Sequence, residues 1–214
     1  MADERIDTFY KNYFRDKFLE FGDTPKGVDW KDHEAQYVSF NYVMNTIRAY
    51  YPNLESFSIL ELGCGYGAFF EYLTVINGKA HIEYFGVDLV NEMIQKAKMT
   101  YPEIADHFFA GDFKDFKFEK TVDFIISSGV FNLKGDHNDE QFAAHILHTV
   151  KLMFEQSRLG IVFNMMTPAP DFKDPKLFYP SLDIFFNFIY KKLSRKVTIT
   201  TSYPLWKITI GVFK

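Results

Sequence analysis

Apolar residues open the chain at helical spacing. Ile6, Phe9, Tyr10, Tyr13, Phe14 and Phe18 fall along one face of a helix predicted over about 4–20. A turn-rich run, Gly22-Asp23-Thr24-Pro25-Lys26-Gly27, breaks it, and a second helix follows over about 31–51, stopping before Pro52. The pattern then changes to short, largely apolar runs at 57–62, 82–87, 107–110, 122–126 and 159–163, which read as strands. Helical periodicity lies among them at 66–76 (ending near Asn77-Gly78), 91–99 and 139–156. Strands interleaved with helices imply a parallel sheet covered on both faces. The end departs from this. After a helix at 181–193 come strands at 196–201 and 206–212, separated only by Ser202-Tyr203-Pro204-Leu205. That gap is too short for a parallel crossover, so these two strands should pair antiparallel. The expectation is an α/β fold: seven strands, mostly parallel with one reversed at the end, helices on both faces, and a helical N-terminal extension. We expect one domain over 1–214, with 1–55 as the extension and 56–214 as the core.

Composition adds little to the fold and something to function. The 214 residues are 47% hydrophobic and 24% charged, as in an ordinary globular chain. Aromatic residues are abundant, with 25 Phe and 13 Tyr. They suit core filling, and also a pocket for a flat or cationic ligand. The formal net charge is −4, and Lys and Arg are scattered except near 191–196. With no basic stripe to neutralise a row of phosphates, nucleic acid is not the expected partner. The single cysteine, Cys64, excludes an internal disulfide and a cysteine-rich zinc site. Met1 to Arg5 precede no apolar run, and no stretch reaches membrane-spanning length, so the expectation is a cytoplasmic protein off the membrane, monomeric or a homodimer.

The chemistry concentrates in Ile59-Leu60-Glu61-Leu62-Gly63-Cys64-Gly65-Tyr66-Gly67. A strand enters a turn with three glycines and a helix begins at once. Glycine lets backbone approach a ligand closely, outside the carboxyl end of the strand. Such a loop alone is also simply a tight turn. Its context is more telling: Asp88 ends the second strand, where an acid can accept from both ribose hydroxyls of an adenosine, with Leu89 beside it. Past the third strand, Asp112 can accept from an adenine amino group while Phe113 covers the ring. Past the fourth, Ser127-Ser128-Gly129-Val130-Phe131-Asn132 would line the far wall of the same crevice.

In these features the sequence resembles the class I S-adenosylmethionine-dependent methyltransferases. Glu61-Leu62-Gly63-Cys64-Gly65-Tyr66-Gly67 looks like their acidic-x-Gly-x-Gly-x-Gly signature, and Asp88, Asp112 and Phe113 fall where that family holds ribose and adenine. The resemblance runs from about residue 57 to the C-terminus. It implies a Rossmann-like sheet, S-adenosylmethionine as cofactor, and a Gly63–Gly65 backbone facing the methionine part. A narrower resemblance rests on Gly27-Val28-Asp29-Trp30, Gln36, Phe40, Ser128 to Asn132 and Leu193-Ser194-Arg195. It points to bacterial methyltransferases of mostly unassigned substrate, some among genes for surface-polysaccharide synthesis. It implies that Trp30 and Gln36 close over the cofactor and that the acceptor is a small molecule, such as a sugar precursor. The absence of an Asn/Asp-Pro-Pro-aromatic motif after the fourth strand argues against methylation of DNA bases.

Methyl transfer to oxygen or nitrogen needs a base only if the nucleophile must lose a proton. His33 and His137 are the candidates, although a loop histidine is more often simply exposed to solvent. Phe131, Asn132, Asn164 and Tyr10 are candidate acceptor contacts, with Tyr13 and Tyr37 as further helical aromatics above the pocket. No metal is expected: His145 and His148, three apart on a helix, lack a carboxylate pattern and read as a solvated face. The stretch 167–180 could be a lid or a plain connection. Two rival readings remain. Gly63-x-Gly65-x-x-Ala68 loosely fits a dinucleotide fingerprint and so an NAD(P)-dependent oxidoreductase, though Glu61, Gly67 and the reversed strand stand against it. The other is a non-catalytic partner protein that binds the cofactor.

Overall fold

The computed structural model describes residues 2–76, 81–116, 118, 120–202 and 204–214. Two helices come first, α1 (Ala2–Phe21) and α2 (His33–Tyr50), joined through a 3-10 turn at Pro25–Val28. Asp32 caps α2, its carboxylate accepting from the Ala35 N–H at 2.8 Å. The strands are β1 (Ser56–Leu62), β2 (His81–Asp88), β3 (Phe108–Ala110), β4 (Val122–Ser127), β5 (Ser157–Met166), β6 (Lys196–Thr200) and β7 (Lys207–Phe213). Between them lie α3 (Ala68–Ile76), α4 (Asn91–Thr100), α5 (Asp139–Gln156) and α6 (Leu182–Phe188).

The strands form one seven-stranded sheet in the order β3-β2-β1-β4-β5-β7-β6. β1 to β5 pair in parallel, and β7 runs antiparallel to both its neighbours, β5 and β6. The expected single reversal is therefore present, with β7 inserted between β5 and β6. Alternate residues of the strands feed two cores. Leu60, Ile125, Ile161 and Phe163 pack on one face with α1, α5 and α6; Ile59, Phe124, Ile126 and Val162 pack on the other with α2, α3 and α4. β4 is buried at every position, as a central strand covered on both sides must be.

Three boundaries differ from expectation. The helix predicted from Tyr66 starts at Ala68, because Gly67 takes φ 91°, outside the helical region. β5 is longer than 159–163, since pairing with β7 continues it through Met166. The helix predicted over 181–193 is α-helical only to Phe188 and then widens into a π-turn at Ile189–Leu193. The helix end predicted near Asn77-Gly78, and Tyr203 in the last connection, lie outside the described residues. No helix among the described residues is long and apolar enough to cross a membrane.

Candidate active site

Strand order fixes the place of the site. β1 and β4 are neighbours joined by long connections to opposite sides, so their carboxyl ends diverge and leave a crevice. Beyond Leu62 the chain turns sharply: the Gly63 and Cys64 N–H groups both donate to the Val87 carbonyl, at 2.8 and 3.2 Å. Gly63 and Gly65 have φ of 76° and 54°. A Cβ on Gly63 would stand 2.3 Å from Val130 Cγ2, so only glycine lets this loop pass so close to the opposite wall.

Asp88 is anchored to this loop. One carboxylate oxygen accepts from the Gly65 N–H and the other from the Val90 N–H, each at 2.8 Å. Burial pushes its pKa up, and the N–H groups of Val90, Gly65 and Leu89 oppose that push. A carboxylate has about four acceptor positions, so Asp88 keeps capacity for donors arriving from the cavity. Glu61 lies behind it, 3% exposed, accepting from the Tyr84 hydroxyl at 2.6 Å. Burial raises its pKa to about 8; the Tyr84 bond opposes this and the Asp88 charge adds to it.

These groups share one cavity of about 1070 Å³, open to solvent. Leu89, Asp112 and Phe113 wall one end; Ser128, Gly129 and Phe131 form the far side. Tyr10, Trp30 and Gln36, from the N-terminal helices and their connection, reach the same space, as does Cys64. The Tyr10 hydroxyl donates to the Val130 carbonyl at 2.9 Å. Trp30 lies against Gly129, where an added Cβ would come within 3.2 Å of its ring. On Trp30, in turn, sits Lys207 Nζ, 3.4 Å from the ring centroid, its pKa drawn down to about 7 by burial.

Several expected residues are elsewhere. Gly67 is not on the cavity wall; its positive φ serves the turn, where a Cβ would meet Tyr101 at 2.8 Å. Asn164 is fully buried and acts from behind, accepting from the Gly129 N–H at 2.9 Å and donating to Ser128 Oγ at 2.8 Å. Asn132 is also off the wall, its carbonyl accepting from the Phe178 N–H at 2.7 Å. Neither candidate base reaches the cavity. His137 packs edge-on to Phe9 of α1 at 5.6 Å, and exposed His33 borders a separate shallow hollow with Tyr37 and Tyr72. Tyr13 instead donates to Asp29 at 2.9 Å. The 167–180 stretch supplies no wall residue; its backbone is pinned to the 132–135 loop through Lys176 and Phe178.

Other residues the sequence did not single out do line the cavity. Lys114 ion-pairs with Asp7 of α1 and lies 3.5 Å from Asp112, whose other oxygen accepts from the Lys114 N–H at 2.8 Å. Burial raises the Asp7 pKa and Lys114 opposes it. His145 is buried on this wall with Thr149, whereas His148 is exposed. The two histidines therefore do not share a solvated face. Among the described residues no three His, Cys, Asp or Glu side chains gather to hold a metal ion.

The arrangement fits an adenosyl amino acid. Asp88 and Asp112 offer acceptors at separated points, and the glycine loop leaves bare backbone on the same wall as Glu61. Comparison with known proteins agrees. Residues 59–152 match the family model described as a methyltransferase domain. A Mycobacterium tuberculosis protein named as a methyltransferase, with no substrate in its name, is 30% identical over 162 residues, spanning 75% of this chain and 95% of that protein. The malonyl-[acyl-carrier protein] O-methyltransferase of Bacillus anthracis is 34% identical over 94 residues, covering 44% of this chain and 34% of that enzyme. Among solved structures, magnesium protoporphyrin IX methyltransferase from Synechocystis, with S-adenosylmethionine bound, shares the fold at a TM-score of 0.63 and 13% identity, over 97% of this chain and 96% of that one. An S-adenosylmethionine-dependent methyltransferase from Clostridium acetobutylicum superimposes at 0.59 and 13%, over 92% and 98%. The chain belongs to the class I S-adenosylmethionine-dependent methyltransferase family.

Proposed function

We propose that this chain moves the methyl group of S-adenosylmethionine to an oxygen or nitrogen of a small molecule, leaving S-adenosylhomocysteine. The observation that carries the reading is the junction of Asp88 with the Gly65 N–H on the floor of a cavity walled by the N-terminal helices. In this reading Asp88 accepts from the ribose hydroxyls and Asp112 from the adenine amino group. Leu89 and Phe113 supply apolar surface for the ring. The Gly63–Gly65 backbone, Glu61 and Trp30 surround the methionine part. The bound cofactor supplies an electrophilic methyl on a sulfonium. What the protein adds is mainly alignment and exclusion of water, because holding two reactants in line replaces much of the entropic barrier.

The acceptor must share a space whose walls are chiefly aromatic and apolar, among them Tyr10, Phe14, Trp30 and Phe131. Those walls favour a compact acceptor over a nucleic acid or a protein surface. Sugar nucleotides remain one class to test, since flat aromatic faces take sugar rings as well as planar ones. The nicotinamide reading of the glycine loop falls with the family assignment. Incubation with methyl-labelled S-adenosylmethionine and separate pools of sugar nucleotides, phosphorylated metabolites and amines tests the proposal. Label should appear in one small-molecule pool. Tight binding of S-adenosylhomocysteine with no transfer to any pool would instead support the non-catalytic partner.

A further inference from the structure

Two lysines stand at the site in different circumstances. Lys114, on the cavity wall, lies between Asp7 and Asp112, so its charge is matched. Lys207 has no such match. Its Nζ sits 3.4 Å from the centroid of the Trp30 ring, and among the described residues no carboxylate and no hydrogen-bond acceptor meets it. A cation–π contact returns only part of what an unpaired charge loses on leaving water. Burial, with no neighbouring charge to oppose it, draws the lysine pKa down. The residue is nevertheless only half-buried, so an anion arriving from solvent can reach it.

Its place in the sheet says which anion. Lys207 opens β7 opposite Met166, at the carboxyl end of β5. The adjoining Thr167 N–H donates to the Trp206 carbonyl at 2.9 Å, which ties these two strand ends together. The glycine loop ends β1, Asp88 ends β2 and Asp112 follows β3, so the cofactor groups are laid out from β1 toward the β3 edge. Lys207 lies in the other direction, beyond β4 and β5. Trp30 spans the gap: its ring rests against Gly129, past β4, and carries Lys207 on its face. That side of the ring is left for the acceptor.

We propose that Lys207 recognises the methyl acceptor, which carries an oxyanion, a carboxylate or a phosphate, that binds Lys207 Nζ at the Trp30 rim of the cavity. This rests on the methyltransferase reading and narrows its substrate from small molecules to anionic ones. Lys114, already held by two carboxylates, is not a competing anchor.

The test is transfer of labelled methyl by the full chain to separate pools of phosphorylated metabolites, carboxylic acids, neutral sugars and amines without an acid group. Label should enter one of the two anionic pools, and which one separates phosphate from carboxylate. Kinetics with that acceptor are then measured on Lys207→Met and Lys207→Arg. Methionine keeps the length and the contact with Trp30 but not the charge. It should raise the acceptor KM about 10- to 100-fold, the loss of one hydrogen bond to a charged group. Affinity for S-adenosylhomocysteine should change less than about twofold, and Lys207→Arg should recover most of the acceptor KM. Label confined to neutral sugars or amines overturns the proposal, and so does a parental acceptor KM in Lys207→Met. Joint loss of acceptor and S-adenosylhomocysteine affinity in Lys207→Met would show that Lys207 only supports Trp30 or serves the cofactor, and overturns it too. Failure of the parent to bind S-adenosylhomocysteine, or to label any pool, would instead defeat the methyltransferase reading itself.

Discussion

Replacing Glu61 by glutamine removes a charge that the fold resists. The carboxyl is 3% exposed, receives one hydrogen bond, from Tyr84, and has its pKa raised from 4.5 to about 8. The folded protein thus holds a proton that the unfolded chain releases. The stability this confers is complete below about pH 4.5 and is lost as pH rises toward 8. A carboxyl held that far above its ordinary range contributes on the order of 5 kcal/mol. Between pH 5 and pH 7 the share lost is about 2–3 kcal/mol. Glutamine keeps the size and can still accept from Tyr84, but does not titrate. Urea unfolding of both proteins at pH 5, 6 and 7 isolates Glu61 from every other titrating group, because only the difference between the two is used. Glu61→Gln should gain on the parent by about 2–3 kcal/mol across that range. A difference constant to within about 0.5 kcal/mol would show that burial does not hold Glu61 protonated.

The same group should register ligand binding. At pH 7 a carboxyl with a pKa of about 8 is about nine-tenths protonated. An ammonium placed beside it favours the ionised form, so S-adenosylhomocysteine should expel close to one proton per site. Calorimetry in buffers of different ionisation enthalpy counts that proton, and Glu61→Gln should abolish it. Proton release that persists in the variant would assign the effect to another group.

Gly63→Ala should destabilise the fold by about 1–3 kcal/mol, because alanine at φ 76° is strained and its methyl meets Val130. Adding Val130→Ala should restore only the steric part, as urea melts of the single and double variants would show. Asp88→Ala should weaken S-adenosylhomocysteine by about 100-fold or more through loss of charge-assisted bonds, and an equilibrium titration that found parental affinity would remove Asp88 from the site. Lys207→Met should flatten the pH dependence of stability between about 7 and 10.5: burial lowers the lysine pKa, so the parent gains stability as pH rises through that window, and thermal melts at pH 7.5 and 9.5 would detect it. His137→Ala should leave turnover unchanged, since the ring packs on Phe9 outside the cavity.

What the sequence disclosed and what it hid follow from range. The glycine loop, Asp88, Asp112 and Phe113 each sit at the end of a strand whose apolar run is local, and the parallel order brings those ends together without further information. The Asp7–Lys114–Asp112 cluster was invisible because 107 residues separate the ion-paired partners and no local period links them. His145 is a different case: its signal was present and was misread. Phe142, His145, Ile146, Thr149, Val150 and Met153 form one buried stripe on α5 at spacings of three and four. Pairing His145 with His148 by their separation alone put both on one face, whereas the apolar neighbours place His145 inward and leave His148 out. Strand ends are written locally, whereas the side of a helix that meets the site is decided by the apolar neighbours packed around it.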